Sequence, residues 1–238
     1  MQKNFYSLGF EELKTFLIEK IGIEKSKAKM RAQQLYKGIY QKGVTSFNDL
    51  TTVTFELRKK LENALSLELP KILKKEVADD QTIKWLLELN DENKNLIEVV
   101  LIPSKSHNTI CVSVQVGCAM SKNSACIHCA TGTQLLVKNL SASEIVMQMM
   151  IAKRYLNDFG DQRLLSRVVC MGSGEPLTNY KETKQFIKIL MEPEGIHMGK
   201  KSITLSTIGV PDKIIQFTDE IGVHLALSIH AGTNEKRN

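Results

Sequence analysis

The sequence predicts an α/β fold, an incomplete (β/α) barrel preceded by a helical accessory domain. Three observations predict it. Apolar residues recur at helical spacing up to about residue 78, and from Thr82 onward strand-like and helix-like segments alternate. The loops after the later strand-like segments carry most of the chain's reactive side chains. Repeated β-α units imply a parallel sheet with right-handed crossovers. Such sheets put their chemistry beyond the C-terminal ends of the strands.

The helical part comes first. FEELKTFLIEKIG and KSKAKMRAQQLYKGIYQKG have helical spacing and each ends on glycine. Ser46 to Asp49, with Thr51 and Thr52, supply turn and capping residues before FELRKKLENAL. The lobe offers Lys25, Lys27, Lys29, Arg31 and Lys37, either as a solvated face or as a face for nucleic acid. The charged stretch from Lys74 to Asp80 reads as a connection, which divides the chain into an accessory domain, residues 1–78, and a core, residues 79–238.

The period then becomes two. TIKWLLEL and NLIEVVLIP flank Asn90-Asp91-Glu92-Asn93 and predict a hairpin. TICVSVQV is followed by a loop and by a helix starting near Ser141, where Ser141 and Glu144 form a capping box and Leu140 and Ile145 a hydrophobic staple. SRVVCMG leads through a glycine-rich turn to a helix from about Lys181. SITLST leads to VPDKIIQFTDE, and VHLALSIH runs toward the end. The post-strand loops therefore hold a cysteine cluster, Gly172 to Pro176, Ser206-Thr207, and Ser228 with His230, all on one rim.

Length and charge bound the answer. The chain of 238 residues suits one core, or one core plus a small accessory domain. A complete barrel needs ~200–250 residues, and the chain stops at Asn238, just past its fourth repeat strand, so the barrel is expected to be a fragment. The net charge of +6 favours a polyanionic partner. No apolar run approaches the ~20 residues of a membrane span, and the start lacks a secretory layout. A cytoplasmic protein is expected.

Four of the five cysteines lie between Cys111 and Cys129, which points to metal or redox chemistry rather than a disulfide scaffold. Cys118, Cys126 and Cys129 follow a strand, in GCAMSKNSACIHCATG. Thiolates bind iron–sulfur clusters and zinc. Spacing leaves three readings open: a cluster with one iron free for an outside ligand, a zinc site completed by His128, or buried thiols without metal.

The strings CVSVQVGC, CATG, MGSGEPLTN, STIGV and LSIHA, with RAQQLYKGIYQKGVTSFNDLT in the lobe, resemble the RlmN/Cfr family of radical S-adenosylmethionine RNA methyltransferases. The resemblance covers nearly the whole chain. It implies a truncated radical-SAM barrel, a [4Fe-4S] cluster on Cys118, Cys126 and Cys129, and S-adenosyl-L-methionine held by Gly174, Glu175, Ser206, Ser228, Ile229 and His230. It further implies Glu98 as a proton acceptor at the substrate adenosine, and Cys111 as the thiol whose transient disulfide releases the product. By alternation alone Glu98 is the polar position of a strand and Cys111 a small core residue, while Cys170 reads as core. The implied reaction methylates C2 of adenosine in 23S rRNA and tRNA (C8 in Cfr), with an electron donor such as flavodoxin.

Two departures stand out. The family spacing is Cys-x3-Cys-x2-Cys, whereas here Ala119 to Ala125 separate the first two cysteines, and the extra residues must bulge outward. No cysteine follows Cys170, so the family's methyl-carrying cysteine is missing from this chain. The competing expectations are a non-catalytic RNA-binding remnant and a zinc-binding interaction module.

Overall fold

A computed structural model describes residues 2–105, 107–121, 126, 129–160, 163–229 and 231–237, with backbone alone at 234 and 237. The lobe closes on itself through two short strands, β1 (Lys3–Asn4) and β2 (Leu65–Ser66), paired in parallel. Between them run α1 (Phe10–Glu19), α2 (Lys25–Tyr36), a π-turn over Lys37–Gln41, and α3 (Phe55–Ala64). The cap of α3 is Thr54, whose hydroxyl accepts the Leu57 N–H at 3.4 Å. Ser46 instead caps the short turn Phe47–Asp49. Phe5, Tyr6, Tyr36, Tyr40 and Phe47 stack in the lobe's centre, with ring centroids 5.0 to 6.3 Å apart. Burying each such ring stabilises the fold by about 1.5–3 kcal/mol.

Part of the stretch expected to be a connection, Lys74 to Val77, lies in a strand. Lys71–Val77 forms β3, the edge of the main sheet, antiparallel to β4 (Ile83–Glu88). Its seven residues are all exposed, and its lysines are what made it read as a linker. Lysines on an edge strand also deter unwanted pairing with other chains. The predicted hairpin is β4 with β5 (Leu96–Ile102), and β5 pairs antiparallel with β6 (Asn108–Cys111).

TICVSVQV does not form one strand. After β6 the chain leaves the sheet, and β7 (Gln115–Val116) pairs with β8 (Lys138–Asn139) apart from it. Next come α4 (Ala142–Leu156), β9 (Leu165–Cys170), α5 (Tyr180–Met191), β10 (Ile203–Thr207), α6 (Pro211–Glu220), β11 (His224–Leu227) and α7 (Asn234–Arg237). The sheet order is β11-β10-β9-β6-β5-β4-β3. Its first four strands are mutually parallel, as the repeated β-α units predict, while the hairpin extends it antiparallel.

One face of the sheet carries Ile83, Trp85, Val99, Ile110, Val168, Leu205 and Cys170, all buried with α4 and α5 in a single hydrophobic core. The other face carries Lys84, Glu98, Cys111, Arg167 and Ser206 and is open. Helix α4 starts with the predicted capping box: Ser141 Oγ accepts the Glu144 N–H at 3.3 Å, and Glu144 accepts the Ser141 N–H at 2.8 Å. It is buried from Ala142 to Lys153, because sheet, α5 and lobe all pack on it. The lobe is stitched to the core by Gln33 to Glu194 at 2.6 Å, Gln41 to the Gly195 carbonyl at 3.0 Å, and Gln185 to Glu12 at 2.7 Å. The core cluster runs without a break from Phe5 to Ile221.

Candidate cofactor and metal site

The C-terminal ends of β9, β10 and β11, with the loop after β7, surround a cavity of about 330 Å³. Its walls include Cys118, Cys126, Cys129, Gly174, Glu175, Ser206 and Ser228, so seven of the residues singled out from sequence meet there. Ile229 follows immediately and is 67% exposed. His230 and His128 lie outside the described residues, as do residues 122–125 of the widened cysteine loop.

The cysteine segment is held at both ends. The Cys118 N–H donates to the Gln134 carbonyl at 3.2 Å, and the Ser121 hydroxyl donates to the Cys118 carbonyl at 2.8 Å. The Cys129 N–H donates to the Cys126 carbonyl at 2.8 Å, and Gly132 to the Cys129 carbonyl at 2.9 Å. A side chain on Gly132 would stand 3.0 Å from the Cys126 carbonyl oxygen, which accounts for the glycine in CATG. Burial pushes the Cys118 thiol up, a hydrogen bond from the Met120 backbone opposes this, and Glu175, Cys129 and Cys126 push it further. Mutual repulsion of that kind is relieved by a cation among the sulfurs.

Among the described residues no group of three or more His, Cys, Asp or Glu side chains stands ready to hold a metal ion. The donor set nonetheless fits a thiolate-bound cluster in kind, since three cysteines line one cavity.

The glycine-rich turn after β9 is shaped by Gly174, at φ +102, where a Cβ would lie 2.5 Å from that of Gln115. Glu175 is 3% exposed, and its carboxylate is engaged by backbone: one oxygen accepts the Leu177 N–H and the other the Ile208 N–H, each at 3.0 Å. It braces the β10 loop, which carries Thr207 and Ile208 in the cavity wall. Across that wall the hydroxyls of Ser206 and Ser228 lie 3.2 Å apart.

Gln115, which sequence reasoning missed, is the hub. Fully buried, its amide oxygen accepts from Ala119 N–H at 3.1 Å and Glu175 N–H at 3.0 Å, while its nitrogen donates to Asn139 and Thr178. Asn179 similarly donates to the carbonyls of Val114 and Leu140. A polar residue in an apolar run was the available signal.

Glu98 and Cys111 are not in the cavity wall. Glu98 lies on the open face of β5, paired with Lys84 at 3.3 Å, and its carbonyl accepts the Ser113 hydroxyl at 2.7 Å. Cys111 lies on the neighbouring strand, half-buried, its thiol raised by burial and partly restored by the Met171 backbone. Met171 does line the cavity, so Cys111 stands directly behind it. Cys170 is core, as expected, but also forms part of the cavity wall, and burial beside Cys111 pushes its thiol to about 12.

Comparison with known proteins supplies the lineage. Residues 3–67 match the ribosomal RNA large subunit methyltransferase N-terminal domain. The dual-specificity RNA methyltransferase RlmN of Ruegeria sp. (strain TM1040) is 40% identical over 242 residues, covering 99% of this chain and 59% of that protein. The RlmN of Nitrobacter winogradskyi is 41% identical over 228 residues, covering 92% and 56%. The crystal structure of a radical SAM methyltransferase from Sphaerobacter thermophilus superposes with a TM-score of 0.86 at 34% identity, over 98% of this chain and 65% of that one. The α/β fold is thus that of a radical SAM methyltransferase. The chain is similar to RlmN RNA methyltransferases and spans between 56 and 59% of the length of the two compared here.

Proposed function

We propose that this chain provides the cofactor-binding core and RNA-facing lobe of a radical S-adenosylmethionine enzyme that methylates C2 of adenosine in 23S rRNA and tRNA. The observation that carries the reading is the convergence of Cys118, Cys126 and Cys129 with Gly174, Ser206 and Ser228 on one cavity at the parallel strand ends. The cysteines would hold a [4Fe-4S] cluster, which supplies the electron for reductive cleavage of S-adenosyl-L-methionine.

The chain's own residues have distinct tasks. Gly174 lets the cofactor approach the backbone, Ser206, Ser228, Ile229 and His230 complete its contacts, and Glu175 fixes the two loops that form its floor. Glu98, on the open face, accepts the proton from the adenine carbon, with Lys84 holding the carboxylate in place. Cys111 serves product release from behind Met171. The functional division falls near residue 78, with β3 working structurally in the core sheet. Among the described residues no helix is long and apolar enough to cross a membrane. The setting proposed for the enzyme is the cytoplasm, with a flavodoxin-type electron donor.

The test is anaerobic expression and reconstitution with iron and sulfide, followed by iron analysis and electron paramagnetic resonance with and without S-adenosylmethionine. A four-iron signal that shifts on adding the cofactor supports the reading. Stoichiometric zinc without iron, in protein never exposed to oxygen, overturns it. RNA binding that persists unchanged without any cluster assigns the chain to RNA binding alone.

A further inference from the structure

Strand β6 ends at Cys111, and two residues further on Ser113 is fully buried. Its main chain is paired by a single side chain of α4. The Ser113 N–H donates to Gln148 Oε1 at 2.8 Å, and the Ser113 carbonyl accepts from Gln148 Nε2 at 2.9 Å. The hydroxyl is thereby left to bond elsewhere.

It joins two other segments. The Ser113 hydroxyl donates to the Glu98 carbonyl of β5 at 2.7 Å and accepts the Ser173 N–H of the glycine-rich turn at 3.0 Å. The turn lies directly against it, since a Cβ on Gly172 would stand 2.7 Å from the Ser113 hydroxyl oxygen. The Ser173 carbonyl accepts the Val114 and Gln115 N–H groups at 2.8 and 3.1 Å. The Ser173 hydroxyl lies 3.4 Å from that of Thr131, two residues after Cys129. One hydroxyl therefore ties the strand of Glu98 to the turn of Gly174 and Glu175, and through Ser173 reaches the cysteine segment. Both bonds need one atom that donates to a carbonyl and accepts an N–H, which a hydroxyl does, alanine does not, and a thiol does weakly.

We propose that Ser113 is a positioning residue for the cofactor, its hydroxyl fixing the glycine-rich turn against β5. The turn's Gly172 and Gly174 line the cysteine cavity. Where they stand decides the room left beside the cysteines for S-adenosylmethionine. Displacements of ~1 Å in such supporting structure are enough to spoil a site. The same bond holds the Glu98 strand at a set distance from the turn. This role rests on the methyltransferase reading.

The test uses the full chain, reconstituted anaerobically with iron and sulfide. The shift in the electron paramagnetic resonance of the reduced cluster is titrated with S-adenosylmethionine. Ser113→Ala should need roughly tenfold more cofactor for half the shift. Its iron per chain, and its signal without cofactor, should stay those of the parent. Ser113→Cys fills similar space with a weak donor and acceptor and should show the same loss, which carries the test where alanine disturbs the core. Thr54→Ala removes the α3 cap in the lobe, destabilises the chain away from the cavity, and should leave the cofactor concentration unchanged. A half-shift at the parent's concentration in both Ser113 variants would overturn the role, as would an equal loss in Thr54→Ala. A parent with no shift at any cofactor concentration is a different result: it overturns the methyltransferase reading, and the role with it.

Discussion

The Glu175 carboxylate accepts the Ile208 N–H at 3.0 Å, so the loop after β9 carries the loop after β10. The same carboxylate takes the Leu177 N–H at its other oxygen. One buried acid thereby sets the spacing of two walls of the cavity, and it does so without a cationic partner in the described structure.

Glu175→Gln leaves the shape but turns one acceptor into a donor facing an N–H. We expect a loss of about 1–3 kcal/mol in stability, read by urea denaturation. Affinity for S-adenosylmethionine should fall with it, whereas iron content should hold, because the two carboxylate oxygens are engaged by the Leu177 and Ile208 backbone.

Gln115→Ala removes four hydrogen bonds at once and leaves the N–H groups of Ala119 and Glu175 unpaired. The expected cost is roughly 3 kcal/mol or more. Because Ala119 adjoins Cys118, this variant should also lose iron on reconstitution, measured as iron per chain against the parent.

On the lobe, Lys25 and Lys29 are exposed, whereas Lys27 pairs with Glu24 at 3.0 Å and Lys37 with Glu194 at 3.3 Å. Replacing Lys25 and Lys29 by glutamine should reduce the slope of log affinity against log salt for RNA by about 0.7–0.9 per lysine in phosphate contact. An unchanged slope would move the RNA-binding face elsewhere.

Asp91 in the β4–β5 turn tests pH dependence. Burial works against its charge, but hydrogen bonds from the Asn95 side chain and backbone, with Lys138 at 3.0 Å, prevail and hold its carboxyl at about 2. The unfolded value is about 3.9. A depressed carboxyl gives stability that is full above the unfolded value and is lost as pH falls through the folded one. Asp91→Asn should therefore cost about 1–2 kcal/mol near neutrality. The gap to the parent should close between about pH 4 and pH 2, as followed by chemical denaturation across that range.

Much of this architecture was legible in the sequence because periodicity and capping are local. The hairpin, the Ser141–Glu144 box and the strand-to-loop order all rest on residues close in the chain. What escaped notice is non-local. Lys71–Val77 pairs only along one edge and buries no face, so its composition matched a linker's. Gln115 and Asn179 matter mostly through distant partners, such as Asn139 at 24 residues from Gln115 and Val114 at 65 from Asn179, which no local pattern encodes. Glu175, marked by its motif as a cofactor residue, also braces a neighbouring loop through its carboxylate, and that brace is non-local.

The unbroken core between lobe and sheet has a consequence for how this chain could be taken apart. Residues 3–67 recur as a recognisable segment in related sequences, yet here Tyr36 and Tyr40 pack on Gly195 and Asn4 reaches Met147. Cutting at that boundary would bare aromatic surface on both pieces. We expect the segment to be a unit of inheritance and not of folding, with lobe and sheet melting in one calorimetric transition.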